Sequence, residues 1–93
     1  MIFNTDTQVL EEVELKEKTQ KELNVVLYND DVNSFDFVIN SLIEVCDHEP
    51  LQAEQCTILV HYKGKCDVKR GSFADLRPIR NELTNRGLSA TIE

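Results

Sequence analysis

Tryptophan is absent from this chain, glycine occurs three times and proline twice. That scarcity excludes collagen-like and low-complexity architectures and leaves no glycine-rich loop to cradle a phosphate. Cysteine is also sparse. Cys46, Cys56 and Cys66 make an odd number, and no two form a C-x-x-C pair. Neither a disulfide framework nor a zinc knuckle is expected; the three read as reduced thiols, with Cys46 and Cys56 as small apolar residues on helix faces. Basic residues are outnumbered, ten Lys and Arg against seventeen Asp and Glu, for a formal net charge of −7. Phosphate-backbone binding needs a basic face, so nucleic acid is excluded as a partner, whereas a basic or amine-bearing partner suits the charge. No apolar run approaches the roughly 18–20 residues that span a bilayer. Met1–Leu10 lacks the basic segment and long apolar stretch of a secretory signal, so the expected location is cytoplasmic.

What is present divides in two. Residues 1–23 hold six acids and three lysines, no Gly or Pro, and few apolar residues. Pairs such as Glu12–Lys16 and Glu17–Lys21 support a helical segment, but without an apolar stripe it is marginal in water, and the stretch is read as a charged flexible arm. Residues 24–93 carry the patterning of one compact domain.

Within that domain, Asn24–Asn29 is short, β-branched and aromatic, the pattern of a strand. Asn29-Asp30-Asp31 follows as a turn. Asn33, with Asp36 three residues on, resembles a capping box, and Phe35, Val38, Ile39, Leu42, Ile43 and Cys46 follow at helical spacing. Pro50 suits the first turn of a second helix that stops before Gly64. Lys65–Lys69 alternates weakly as a short strand, and Arg70-Gly71 is read as a turn. Ser72 and Asp75 form an S-x-x-D cap for a third helix, in which Pro78 is expected to introduce a bend or delay the regular start. Gly87 marks its stop, and Leu88–Glu93 alternates as a last strand. The order β-α-α-β-α-β predicts an α+β fold, a three-stranded antiparallel sheet with three helices packed on one face.

Two features carry possible chemistry. Adjacent acids at Asp30 and Asp31, between a strand and a helix, exceed what one favourable charge at a helix N-terminus needs. A calcium loop starting at Asp30 fails, because Val32 and Phe35 fall where an oxygen ligand and a glycine are required. His61 shares a helix face with Thr57, four residues earlier. There is no G-x-S-x-G or H-E-x-x-H motif, so a nucleophile with its base and oxyanion site has no local support, and no enzyme is expected. A Cys–His hydrolase remains the enzymatic alternative.

VVLYNDDVNSFDFVINSL (Val25–Leu42), then EQCTILVHYKGK (Glu54–Lys65), resemble the ClpS family, whose hallmarks are an apolar strand ending in N-D-D and a later V-H-Y-x-G-K segment. The terminal GLSATIE is similar to the family's last strand. The resemblance covers about residues 24–93 and implies the same β-α-α-β-α-β fold. It implies an adaptor that binds proteins whose first residue is Leu, Phe, Tyr or Trp and docks on the N-domain of a Clp AAA+ unfoldase, ClpA or ClpC. By resemblance, Asn29, Asp30 and His61 receive the N-terminal amine and Asp31 adds field or a water-bridged contact. Asn33, Phe35, Val38, Thr57, Val60 and Leu88 wall the side-chain pocket. Phe35 and Thr57 depart from the commoner pattern, which has Met at both positions. The implied arm serves delivery rather than binding. No cofactor or metal is implied, and a monomer is expected. The alternative is an interaction module of the same fold that recognises no N-terminus.

Overall fold

A computed structural model describes residues 22–93 of the chain. The expected arm falls almost entirely outside the described residues. The element order is β-α-α-β-α-β. β1 is Leu23–Tyr28, α1 Phe35–Cys46, α2 Pro50–Lys63, β2 Lys65–Gly71, α3 Phe73–Asn85 and β3 Ser89–Ile92. β1 is the centre of an antiparallel sheet of order β2-β1-β3.

β1 takes the centre because it is the most apolar strand. Leu23, Val25 and Leu27 point to the helices and are buried, with Val25 and Leu27 at 0% and 1% exposure. They meet Leu42 from α1, Ala53 and Val60 from α2, and Phe73, Leu76 and Leu83 from α3. Burying each Leu or Phe contributes roughly 1.5–3 kcal/mol. All three helices therefore cover one face of the sheet, as the pattern predicted.

Helix ends are set by local chemistry. Ser34, not Asn33, is the N-cap of α1, and its hydroxyl accepts the Phe37 N–H at 3.1 Å. Asn33 is diverted because its amide is used elsewhere, as described below. Ser72 caps α3 as expected, accepting the Asp75 N–H at 3.2 Å. Pro78 lies within α3. At the far end Gly87 has φ +89°, its N–H donates to the Thr84 carbonyl at 3.0 Å, and the Leu88 N–H donates to Leu83 at 3.0 Å. This Schellman arrangement turns the chain into β3.

The one irregularity of the sheet is on β2. Val25 opposes Lys69 while Val26 opposes Asp67, so Val68 is an extra residue, a β-bulge. The bulge places neighbours on one side. Val68 is buried, and the Lys69 ammonium donates to the Cys46 carbonyl at the end of α1 at 3.2 Å. The buried His48 ring holds the same place from the α1–α2 turn, with Nε2 donating to the Val68 carbonyl at 2.6 Å. β2 also runs on through Gly71, where a turn was expected at Arg70-Gly71.

Candidate functional site

The site forms where β1 ends, α1 begins and α2 ends. The Asn29 backbone N–H donates to the Gly64 carbonyl at 2.9 Å, tying the N-D-D turn to the residues just after His61. Gly64 holds φ +93°, and its own N–H closes α2 on the Val60 carbonyl at 3.0 Å. A side chain is strained in that conformation, so glycine is what lets α2 stop at this point. The residues four and one before it, Val60 and Lys63, share the last turn with His61.

The turn itself is organised around Asp30. One carboxylate oxygen accepts the N–H groups of Val32 and Asn33, each at 2.9 Å, and the other accepts the Asn33 side-chain amide at 3.0 Å. The same Asn33 amide nitrogen donates to the Gly87 carbonyl at 3.0 Å, linking the turn to the end of α3. Burial alone would raise the Asp30 carboxyl, but the hydrogen bonds from Asn33 and Val32 outweigh it and hold it below its ordinary value. Asp30 is therefore an anion with a fixed orientation.

Beside this polar corner lies a cavity of about 40 Å³. That is several times the roughly 10–15 Å³ that admits one water. Its lining is divided by chemistry. Val38 from α1, Thr57 and Val60 from α2, and Leu88 before β3 form the buried apolar part. The Thr57 hydroxyl donates to the Ala53 carbonyl at 2.8 Å. That bond satisfies the polar atom within its own helix. Asn29, Asp30, Asn33 and His61 supply the polar part. Phe35 stands at the mouth, 40% exposed, with its ring edge-on to His61 at a centroid separation of 5.6 Å and 77° between planes. Tyr62, 76% exposed, meets the same imidazole at 4.8 Å and 86°.

The structure thus gathers Asn29, Asp30, Asn33, Phe35, Val38, Thr57, Val60, His61 and Leu88 around one cavity. Asp31 is exposed and does not line it. Leu27 and Tyr28, which also line it, were not anticipated. They come from the end of β1 that leads into the turn. Among the described residues no group of three or more His, Cys, Asp or Glu is placed to hold a metal, and no helix is long and apolar enough to cross a membrane. The arrangement is that of a receptor for a small amphipathic group: anionic and hydrogen-bonding at one edge, apolar in its depth.

An α+β domain with a pocket of this kind defines a binding module, and comparison with known proteins assigns its family. The profile described as "ATP-dependent Clp protease adaptor protein ClpS" matches residues 18–91. The ATP-dependent Clp protease adapter protein ClpS of Oleidesulfovibrio alaskensis is 42% identical over 74 residues, 77% of this chain and 69% of that protein. Its namesake in Nitratidesulfovibrio vulgaris is 35% identical over 74 residues, 77% of this chain and 72% of that one. The chain belongs to the ClpS family, the adaptors of the ATP-dependent Clp protease. Human E3 ubiquitin-protein ligase UBR1 is 28% identical over 82 residues, 88% of this chain but 5% of the ligase. Among solved structures, Agrobacterium tumefaciens ClpS2 bound to L-phenylalaninamide superposes with a TM-score of 0.75 at 24% identity, over 78% of this chain and 95% of that one. That likeness establishes the shared fold.

Proposed function

We infer that this adaptor captures proteins by a free N-terminus bearing a bulky apolar first side chain, Leu, Phe, Tyr or Trp, and delivers them to the N-domain of a Clp unfoldase. The observation that carries the reading is the juxtaposition of Asp30, Asn29 and His61 with the cavity walled by Val38, Thr57, Val60 and Leu88. An N-terminal residue has the matching form, an ammonium one carbon from its side chain. With the ammonium against Asp30, the side chain enters the apolar part. Charge-assisted hydrogen bonds to the ammonium contribute on the order of 1.5–3 kcal/mol each. Burial of a Leu or Phe side chain adds roughly 1.5–3 kcal/mol. The ligand in the Agrobacterium ClpS2 structure, L-phenylalaninamide, has this same form, an amine beside a benzyl group.

A ring nitrogen of His61 that carries no proton accepts a hydrogen bond from the ammonium. Asp31, exposed next to Asp30, contributes negative field at the entrance rather than a wall. Acetylation of the N-terminus removes the charge, and a Ser in first position leaves the apolar part unfilled. The test is fluorescence anisotropy with a labelled peptide beginning with Leu or Phe, its N-acetylated twin, and a twin beginning with Ser. Binding of the free, bulky N-terminus alone is expected. Equal binding of all three, or of none, would overturn the reading and favour an interaction module of the same fold with another partner.

A further inference from the structure

Arg86, Gly87 and Leu88 form the corner between α3 and β3, and the three neighbours do different things. Leu88 is 4% exposed and walls the apolar part of the cavity. Its side chain has no polar atom to fix it, so its place follows that of the backbone at the corner. The Gly87 carbonyl accepts the Asn33 amide at 3.0 Å, from the turn that precedes α1. One residue earlier, the Arg86 guanidinium donates through Nη1 to Glu44 of α1 at 2.6 Å and through Nε to Glu82 of α3 at 3.1 Å. Two consecutive residues therefore pin the corner to α1 and to the turn before it. α1 carries Phe35 and Val38 of the same cavity. We propose that Arg86 is a positioning residue for side-chain selectivity: its strut to Glu44 sets where the Leu88 wall stands against the α1 wall, and so which bulky first residues the cavity accepts, a role that rests on the binding proposed above.

Exposed ion pairs between single long side chains contribute little and are screened by salt. The geometry at Arg86 is different. Its side chain is 27% exposed, less than the 61% and 50% of its two carboxylate partners, and one planar guanidinium uses two different nitrogens for two acceptors. Such a fork tolerates little rotation, because keeping one partner in line displaces the other. The apolar contacts beneath it are non-directional and do not by themselves set the register of α3 on α1. The bonds from the Gly87 N–H to Thr84 and from the Leu88 N–H to Leu83 shape the turn without tying it to α1.

A small displacement of the wall matters to a closely fitted ligand. A gap of about 0.5–1 Å forfeits a quarter to a half of each van der Waals contact. The amine side of the cavity is held separately, since Asp30 keeps its bonds from the Val32 and Asn33 N–H groups whatever Arg86 does. Loss of the strut therefore changes the preference among side chains and leaves the discrimination against an acetylated terminus in place.

Arg86→Met keeps the length of the side chain and removes its charge; Glu44→Ala breaks the same strut from α1 and leaves the corner untouched. Anisotropy is measured on the full chain with peptides that begin with Leu, Phe or Trp, and with the acetylated Leu peptide. In both variants the affinity ratio of the Leu to the Trp peptide is expected to fall by about threefold or more, while the ratio of free to acetylated Leu peptide stays at its wild-type value. Arg86→Lys should lie between the wild type and R86M, because an ammonium lacks the fork. Adding R86M to L88A should change the ratio no further, since the wall through which Arg86 acts is gone. Circular dichroism checks that each variant folds, and E44A decides alone if R86M does not. Wild-type ratios in the folded variants, with or without a lower Tm, would make the strut a purely structural clasp and overturn the proposal, as would an R86M effect of full size in L88A. Failure of the wild type to bind any free, bulky N-terminus would overturn the proposed function and this role with it, and the wild-type curves alone tell that outcome from the others.

Discussion

Asn33 and Asp30 are bonded twice across one turn of chain, through the Asn33 backbone N–H at 2.9 Å and its side-chain amide at 3.0 Å. The second hydrogen of that amide reaches the Gly87 carbonyl, so a single side chain connects the anion of the site to the end of α3. Asn33→Ala removes both side-chain bonds and leaves the backbone bond. Each lost bond costs roughly 0.5–1.5 kcal/mol. The expected outcome is a fall in unfolding free energy of about 1–2 kcal/mol by urea denaturation, and a fall of about tenfold in affinity for a peptide beginning with Leu. Asn33→Asp should be worse for binding than Ala, because it faces a second carboxylate to Asp30.

Asp30 makes the domain sensitive to acid. Its folded carboxyl is held below its ordinary value by the bonds from Asn33 and Val32, so the folded state binds its proton more weakly than the unfolded chain does. The sign follows from linkage: the stabilisation is fully present above that unfolded value and is lost as pH falls through the lower folded one. Chemical denaturation between pH 6 and roughly pH 3 should show a declining midpoint in the wild type. Asp30→Asn should be less stable at neutral pH and show a shallower decline. Parallel curves for the two proteins would remove Asp30 as a source of the dependence.

Much of this was legible in the sequence, and the exceptions have a common cause. The helix faces, the Ser72 cap and the stops at Gly64 and Gly87 depend on residues near in sequence, and pattern reading found them. The N-x-x-D spacing of Asn33 and Asp36 imitates a helix cap. The actual partners of Asn33 are Asp30 and, 54 residues away, Gly87. The bulge at Val68 was equally hidden, since it exists only relative to β1, and so was burial of His48 against it. Among pocket residues, resemblance supplies Asn29, Asp30 and Asn33 of the turn, those on the helices, and Leu88, whereas Leu27 and Tyr28 enter through the path of β1 into the turn.

His61 meets two aromatic rings edge-on, and its imidazole is exposed at the pocket mouth. As an acceptor it must be neutral. Protonation would turn the acceptor into a donor and set a cation against the ligand's ammonium. His61→Ala should bind a peptide beginning with Phe about tenfold more weakly at neutral pH, the cost of one charge-assisted bond. Equal affinities of wild type and variant, measured by anisotropy, would exclude His61 from the amine contact.

On the proposed reading, selectivity among bulky residues is expected to turn on Phe35 and Thr57, which line the cavity from different helices. Phe35 is a stiff, half-exposed wall at the mouth, while Thr57 is small, 3% exposed and internally satisfied through Ala53. Because both positions depart from the commoner Met, the first residues Leu, Phe, Tyr and Trp are expected to bind still, with an altered ranking. Phe35→Ala opens the mouth and removes apolar contact of roughly 1–2 kcal/mol. Peptides beginning with Phe or Leu should lose about tenfold in affinity, and those beginning with Ile or Val should lose least, narrowing the discrimination. Thr57→Met fills the depth instead, and should penalise Trp and Phe more than Leu. Thr57→Val keeps the volume and discards only the hydroxyl, whose bond is to Ala53 within α2, so its affinities should match the wild type within about a factor of three. A peptide panel varying only the first residue measures all three. If Thr57→Val and Thr57→Met gave the same ranking, volume at this position would not govern the choice of first residue.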